Sequence, residues 1–178
     1  VEVASGDVRD RGPSAATAFV ERPRLKQQLD TVQRGGIGLV VASAGSGKSV
    51  LLEQWAESRT DLCVCNVALS VRHNDSAVFA QSLLTSLARA PQTITAKLIE
   101  LKATGGAKLG EPFIEGLLAE LRAQPDDIVV VLDDLHVLTN RALLDDLGDL
   151  IRRLPDNVRV VLAARWDPAL RLGGLRLE

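Results

Sequence analysis

The sequence predicts an α/β fold in which a mostly parallel sheet lies between helices, and three observations carry that reading. Four apolar runs, Ile37 to Val41, Asp61 to Leu69, Ile128 to Leu132 and Val158 to Ala164, alternate with stretches of helical periodicity. One of them, Ile128-Val129-Val130-Val131-Leu132, is apolar at every position, as a strand covered on both faces is. The glycine-containing segment Ala42-Ser43-Ala44-Gly45-Ser46-Gly47-Lys48-Ser49 joins the first run directly to a helical pattern. Hydrophobic residues make up 46% of the chain but aromatics only 3%, so the core must be built from Leu, Val, Ala and Ile. At 178 residues, one domain is the expected organisation.

Taken in order, residues 1–18 are rich in Ser, Gly, Ala, Asp and Arg without apolar periodicity and read as a flexible tail. Residues 19–178 read as the folded domain. Phe19 to Arg24 leads into a short helix with Leu25, Leu29 and Val32 on one face, closed by Gly35-Gly36. A helix is expected over about 48–59, carrying Leu51, Leu52 and Trp55. Asn74 or Asp75 is placed to cap the next, whose stripe is Val78, Phe79, Leu83, Leu84 and Leu87. A further helix is expected over about 93–101, then a candidate mobile loop over 104–110. Pro112 suits a first helical turn ahead of Phe113, Ile114, Leu117, Leu118 and Leu121. The last helix, about 140–154, turns Leu143, Leu147, Leu150 and Ile151 inward. Right-handed crossovers would put these helices on both faces of the sheet.

Strand, glycine loop and helix together are the context of a phosphate-binding P-loop, and the fold expected is a three-layer P-loop NTPase. Gly45 and Gly47 admit positive φ and close approach of backbone N–H groups to an anion. Ala44, Ser46 and Val50 belong to the same cradle, whose N–H groups and helix dipole stabilise phosphate charge. Lys48 supplies a point charge, and Ser49 a hydroxyl for Mg²⁺. Ala42 stands where the strict pattern has glycine. An ordinary glycine turn ahead of a helix is the alternative.

In an open parallel sheet, ligands sit beyond the carboxyl ends of the strands. Asp133-Asp134 follows one strand and Arg165 another. Asp133 is the candidate second Mg²⁺ contact, through a water, and Asp134 the candidate to orient an attacking water. A turn or helix cap is the competing reading of that pair. Arg165 is placed to sense a terminal phosphate or to make a surface salt bridge. His136 reads as a loop residue bonded locally, with no proton-transfer role, and His73 lacks partners for a metal or nucleophilic site. Cys63 and Cys65 would share one strand face as a buried reduced pair.

A net charge of −2 and scarce aromatics argue against nucleic-acid binding by this segment itself. With no signal peptide and no apolar stretch of spanning length, the cytoplasm is the expected compartment. Methionine is absent throughout, so the chain is expected to be a piece of a longer protein.

Four segments occur here in the order seen in one family: Phe19-Val20-Glu21-Arg22-Pro23-Arg24-Leu25, the alanine-led P-loop, Val131-Leu132-Asp133-Asp134-Leu135-His136, and Leu162-Ala163-Ala164-Arg165-Trp166-Asp167-Pro168. From Phe19 onward the chain resembles the MalT-like branch of the signal-transduction ATPases with numerous domains, found in large LuxR-family transcriptional regulators. Ala42 is shared by that branch. The resemblance implies ATP and ADP as ligands, Arg22 near the nucleotide, and Arg165 as the sensor arginine. It also implies self-association of the full-length protein, DNA binding through a domain outside this segment, and a nucleotide contact from a region that follows it. An ATPase domain attached to a serine/threonine kinase is the alternative setting, and a nucleotide-holding interaction domain with negligible turnover another. A small-molecule phosphotransferase would need an arginine-rich lid, and 104–110 has one Lys and no Arg. No Asn-Lys-x-Asp motif supports a GTPase.

Overall fold

The computed structural model describes residues 22–89, 108–166 and 170. The expected tail at 1–18, the helix at 93–101, the first part of the 104–110 loop, the segment Phe19 to Glu21, and Asp167-Pro168 lie outside them. The described elements are α1 (Pro23–Asp30), β1 (Ile37–Val41), α2 (Lys48–Ser58), β2 (Cys63–Ala68), α3 (Ser76–Arg89), α4 (Glu111–Arg122), β3 (Ile128–Asp133), α5 (Arg141–Arg152) and β4 (Val158–Ala164). Two short 3₁₀ turns, Val71–Asn74 and Leu135–Val137, follow β2 and β3.

All four described strands are parallel, in the order β1-β4-β3-β2. The register sets Val41 opposite Ala164, and Ala68 opposite Asp133, so the strands end at one edge. β4 thus stands between the P-loop strand and the strand that ends in Asp133.

Alternate residues of each strand feed two cores. Val130, Leu132, Val160 and Leu162 pack with Phe79, Leu84, Leu117, Leu118, Leu143 and Leu147 from α3, α4 and α5. Val129, Val131, Val161 and Ala163 pack with Leu29, Leu51, Leu52 and Trp55 from α1 and α2. Helices therefore cover both faces, and every residue of β3 is buried. Burying one such aliphatic side chain contributes about 1.5–3 kcal/mol.

Local signals placed the helix starts well. Asn140 caps α5 by accepting from Leu143 N at 3.3 Å. Asp75, not Asn74, caps α3, accepting from Ala77 N at 2.8 Å and Val78 N at 3.3 Å. Leu25, Leu29 and Val32 share one face, as expected, and line one cleft. Only Leu29 of that helix is buried, and Leu25 is 38% exposed because it lines an open cleft. The chain after α1 comes close to β1, where a Cβ on Gly38 would lie 2.8 Å from Val32 Cγ2, so a side chain there would require Val32 to shift. Cys63 and Cys65 form no disulfide with each other; their Sγ atoms are 3.9 Å apart, and the hydrogen bond to the Cys63 thiol together with burial pushes the Cys65 thiol well above its ordinary range.

His73 is buried, held by Ser70 N and Oγ at Nδ1 (2.9 and 3.0 Å) and by Ser82 Oγ at Nε2 (3.1 Å). Burial lowers its pKa below the ordinary 6.5. The unfolded chain then binds the proton more tightly, so this contribution to stability is complete above about pH 6.5 and is lost as pH falls through the folded value. Urea midpoints measured from pH 7.5 to 5 are expected to fall in the wild type and to fall less steeply in His73→Gln. Equal slopes would remove His73 from the account.

Candidate functional site

The P-loop leaves β1 at the sheet's carboxyl edge, where Ala42 N donates to Ala164 O of β4 at 3.2 Å. Gly45 and Gly47 hold φ of +75° and +81°, a left-handed backbone that side chains disfavour, as the sequence anticipates. Gly47 is the N-cap of α2, and the first intrahelical bond runs from Leu51 N to Gly47 O at 2.9 Å. Amides ahead of that bond have no intrahelical acceptor, and here they belong to Lys48, Ser49 and Val50.

Lys48 is only 8% exposed, and its Nζ donates to Ala42 O at 2.5 Å and Ser43 O at 3.0 Å. The ammonium is therefore held by the loop's own carbonyls. Ser46 Oγ is buried without a hydrogen-bond partner among the described residues, an orphaned polar group inside the cradle. Ala44 and Ser49 are exposed. These are the donors that an anionic ligand needs: a buried cation, a hydroxyl lacking a partner and a helix N-terminus at one point. The residues fit a polyphosphate.

Arg22, just ahead of α1, lies over the same loop. A Cβ on Gly47 would sit 3.5 Å from an Arg22 guanidinium nitrogen. A cleft of about 490 Å³ opens beside it, with Leu25 and Leu29 of α1 and Val40 and Val41 of β1 as apolar walls and Ser46 and Lys48 at its polar end. That volume is in the range of small-molecule sites.

At the end of β3, Asp133 is buried at 6% exposure, and its Oδ1 accepts from Asp134 N at 2.8 Å. Asp134 has φ +59°, the one positive value of a non-glycine residue among those described, and its side chain is about half-exposed. The backbone reversal splits the pair: one carboxylate stays inside and the other faces outward.

Two neighbours of this pair were not assigned roles from the sequence. His136, expected as a locally bonded loop residue, sits in the Leu135–Val137 turn. Its Nδ1 is buried with no hydrogen-bond partner among the described residues, 3.7 Å from Asp134 Oδ1. The imidazole meets Trp166 edge to face, with ring centroids 5.0 Å apart. Trp166 is otherwise 59% exposed and stands next to Arg165, which is itself exposed at the end of β4. Nothing in the spacing marks His136; only its approach to Asp134 does. The structure thus brings Arg22, Gly45 to Val50, Asp133, Asp134 and Arg165 to the carboxyl edge of one sheet. Among the described residues no group of three or more potential ligands forms a preset metal cluster, and no helix is long and apolar enough to cross a membrane.

A parallel sheet whose first strand runs through a glycine loop into a helix, with acidic and basic residues on the neighbouring strand ends, defines a P-loop nucleotide-binding fold. Residues 20–162 match the AAA ATPase domain family, and the chain belongs to it. It is also similar to the HTH-type transcriptional regulator MalT of Cronobacter sakazakii, with 29% identity over 160 residues that cover 89% of this chain. The chain spans 17% of the length of that relative. This bears out the MalT-like resemblance seen in the motifs. Among solved structures, the Aeropyrum pernix ORC1 protein in complex with DNA is similar over 80% of this chain and 37% of its own, with a TM-score of 0.46 and 17% identity.

Proposed function

We propose that this chain is the nucleotide switch of a larger MalT-like regulator, in which ATP binding favours an assembled, active state and ADP the resting one. The observation that carries the reading is the polar end of the cleft: buried Lys48, orphaned Ser46 Oγ and the α2 N-terminus converge beside apolar walls suited to a base. Lys48 and the amides of Gly45 to Val50 would hold the phosphates, with Arg22 beside them and Arg165 reading the terminal one. Ser49 and Asp133 would hold Mg²⁺, Asp133 through a water. When bound, Mg²⁺ATP supplies the phosphoanhydride and the metal neutralises its charge. Asp134, facing outward on its reversed backbone, would orient the attacking water. DNA binding is assigned to a domain outside these residues, and self-association to the full-length protein.

Two measurements test it. Asp133→Asn is expected to weaken Mg²⁺-dependent ATP binding, whereas Asp134→Asn lowers single-turnover hydrolysis with little change in binding. Indistinguishable effects of the two would remove the division of labour.

Residues 1–178 alone are expected to give little or no multiple turnover and no specific DNA binding. Arg165 and the Asp134 carboxylate stand exposed at the sheet edge, where water screens them and lowers the transition-state stabilisation they give. Steady-state phosphate release at the rate of the activated full-length protein would contradict this. So would salt-sensitive, sequence-dependent retention of duplex DNA.

A further inference from the structure

The side chain and carbonyl of Asn74 take part in six hydrogen bonds among the described residues, and most of them reach across to the segment that follows the acidic pair. Its Nδ2 donates to Val71 O and Val137 O, both at 3.0 Å. Its Oδ1 accepts from Thr139 N at 2.6 Å, Thr139 Oγ1 at 3.2 Å and Asn140 N at 2.9 Å. Its own carbonyl accepts from Asn140 Nδ2 at 2.9 Å. An amide side chain with donors and acceptor all engaged is a fixed bracket between two connections.

The connection it braces is the one that presents Asp134. A left-handed conformation costs a non-glycine residue free energy and persists only where its surroundings over-determine it. Within the turn, the backbone bonds are Val137 N to Asp134 O at 3.0 Å and Leu138 N to Leu135 O at 3.1 Å. At its near end the turn is tied to β2 by Leu69 N donating to Asp133 O at 3.0 Å. At its far end the tie is Asn74, which takes hold at Val137, Thr139 and Asn140, the last being the N-cap of α5. Both ends of the turn are therefore referred to the chain leaving β2.

We propose that Asn74 is a positioning residue for the acidic turn, fixing the direction in which Asp134 and His136 face. The proposal rests on the reading above in assigning Asp134 to the attacking water, but the bracket itself is tested independently. Asn74→Ala removes all the side-chain ties. Asn74→Asp has the same shape, keeps acceptance from Thr139 and Asn140 and loses donation to Val137; it serves if the alanine variant does not fold. Asn157→Ala is the control, since Asn157 Nδ2 donates to Leu121 O at 2.9 Å and Gln124 O at 3.1 Å ahead of β4, at the opposite end of the sheet.

Amide hydrogen exchange on the 178-residue chain is expected to quicken at Val137 and Leu138 in the Asn74 variants, on the order of tenfold, with the P-loop amides unchanged. The control should leave Val137 and Leu138 as they are. Single-turnover hydrolysis should fall about tenfold in the Asn74 variants while ADP affinity stays within about twofold, the mark of a residue that places a reacting group and not the ligand. Unchanged exchange at Val137 and Leu138, or equal acceleration in the control, would overturn the bracket. Quickened exchange with undiminished hydrolysis would overturn its role in positioning. A wild type that neither binds nor hydrolyses nucleotide would sink the proposed switch, and the exchange result would still decide the bracket.

Discussion

Lys48→Ala is expected to weaken binding of magnesium-loaded ATP by about 10- to 150-fold. Losing one charge-assisted contact costs ~1.5–3 kcal/mol, and burial of the ammonium at 8% exposure gives water little chance to substitute for it. In the structure the same ammonium bonds to Ala42 O and Ser43 O, so the substitution also frees two carbonyls of the loop. A nucleotide must therefore compete with these carbonyls for Nζ, which sets the upper end of the effect. Lys48→Arg is not a conservative rescue, because a planar fork does not fit where a compact point charge is held. Titration calorimetry with equal affinities for wild type and Lys48→Ala would show that the loop is not the phosphate site.

Trp55→Ala is expected to destabilise the fold by about 3–5 kcal/mol, the range for removing a large aromatic from a core. Trp55 is 2% exposed and fills the layer between α2 and the sheet, beside Leu51, Leu52, Val129 and Val161. Its Nε1 also donates to Asp30 Oδ1 at 2.8 Å, tying α2 to α1. Arg59 completes that corner. It pairs with Asp30 and, through two N–H groups each at 2.8 Å, with Asp61, whose carboxyl it holds down to about 2. Trp55→Phe keeps most of the packing and loses the Asp30 bond, so about 0.5–1.5 kcal/mol is expected there. Denaturant midpoints at constant m-value check both. A loss under 1 kcal/mol for Trp55→Ala would mean that the α1–α2 layer is not part of the cooperative core.

The elements were legible in the sequence because their signals are local. Ile128 to Leu132 reads as a doubly buried strand from its composition alone, and the structure extends it by one residue to Asp133. Pro112 and Asn140 mark helix starts because Pro and Asn act on the backbone within one turn of themselves. Gly45 and Gly47 declare a backbone that other residues avoid. The P-loop and the acidic pair could thus be named as candidates before any tertiary contact was known.

What the sequence by itself determined, then, is the strand, loop and helix content, the two-sided core and the chemical types at the strand ends. Strand order was decided only in three dimensions, because β1 and β4 pair across more than a hundred residues and periodicity carries no trace of a partner. So was the approach of Arg22 to Gly47, and the open cleft that Leu25 lines, which helical spacing does not show. Asn74 shows the limit most clearly. Its position next to Asp75 suggested a helix cap, a local role open to any Asn there. The fold gives the cap to Asp75 and turns Asn74 toward Val137, Thr139 and Asn140, because β2 and β3 lie side by side and their exits share one edge of the sheet.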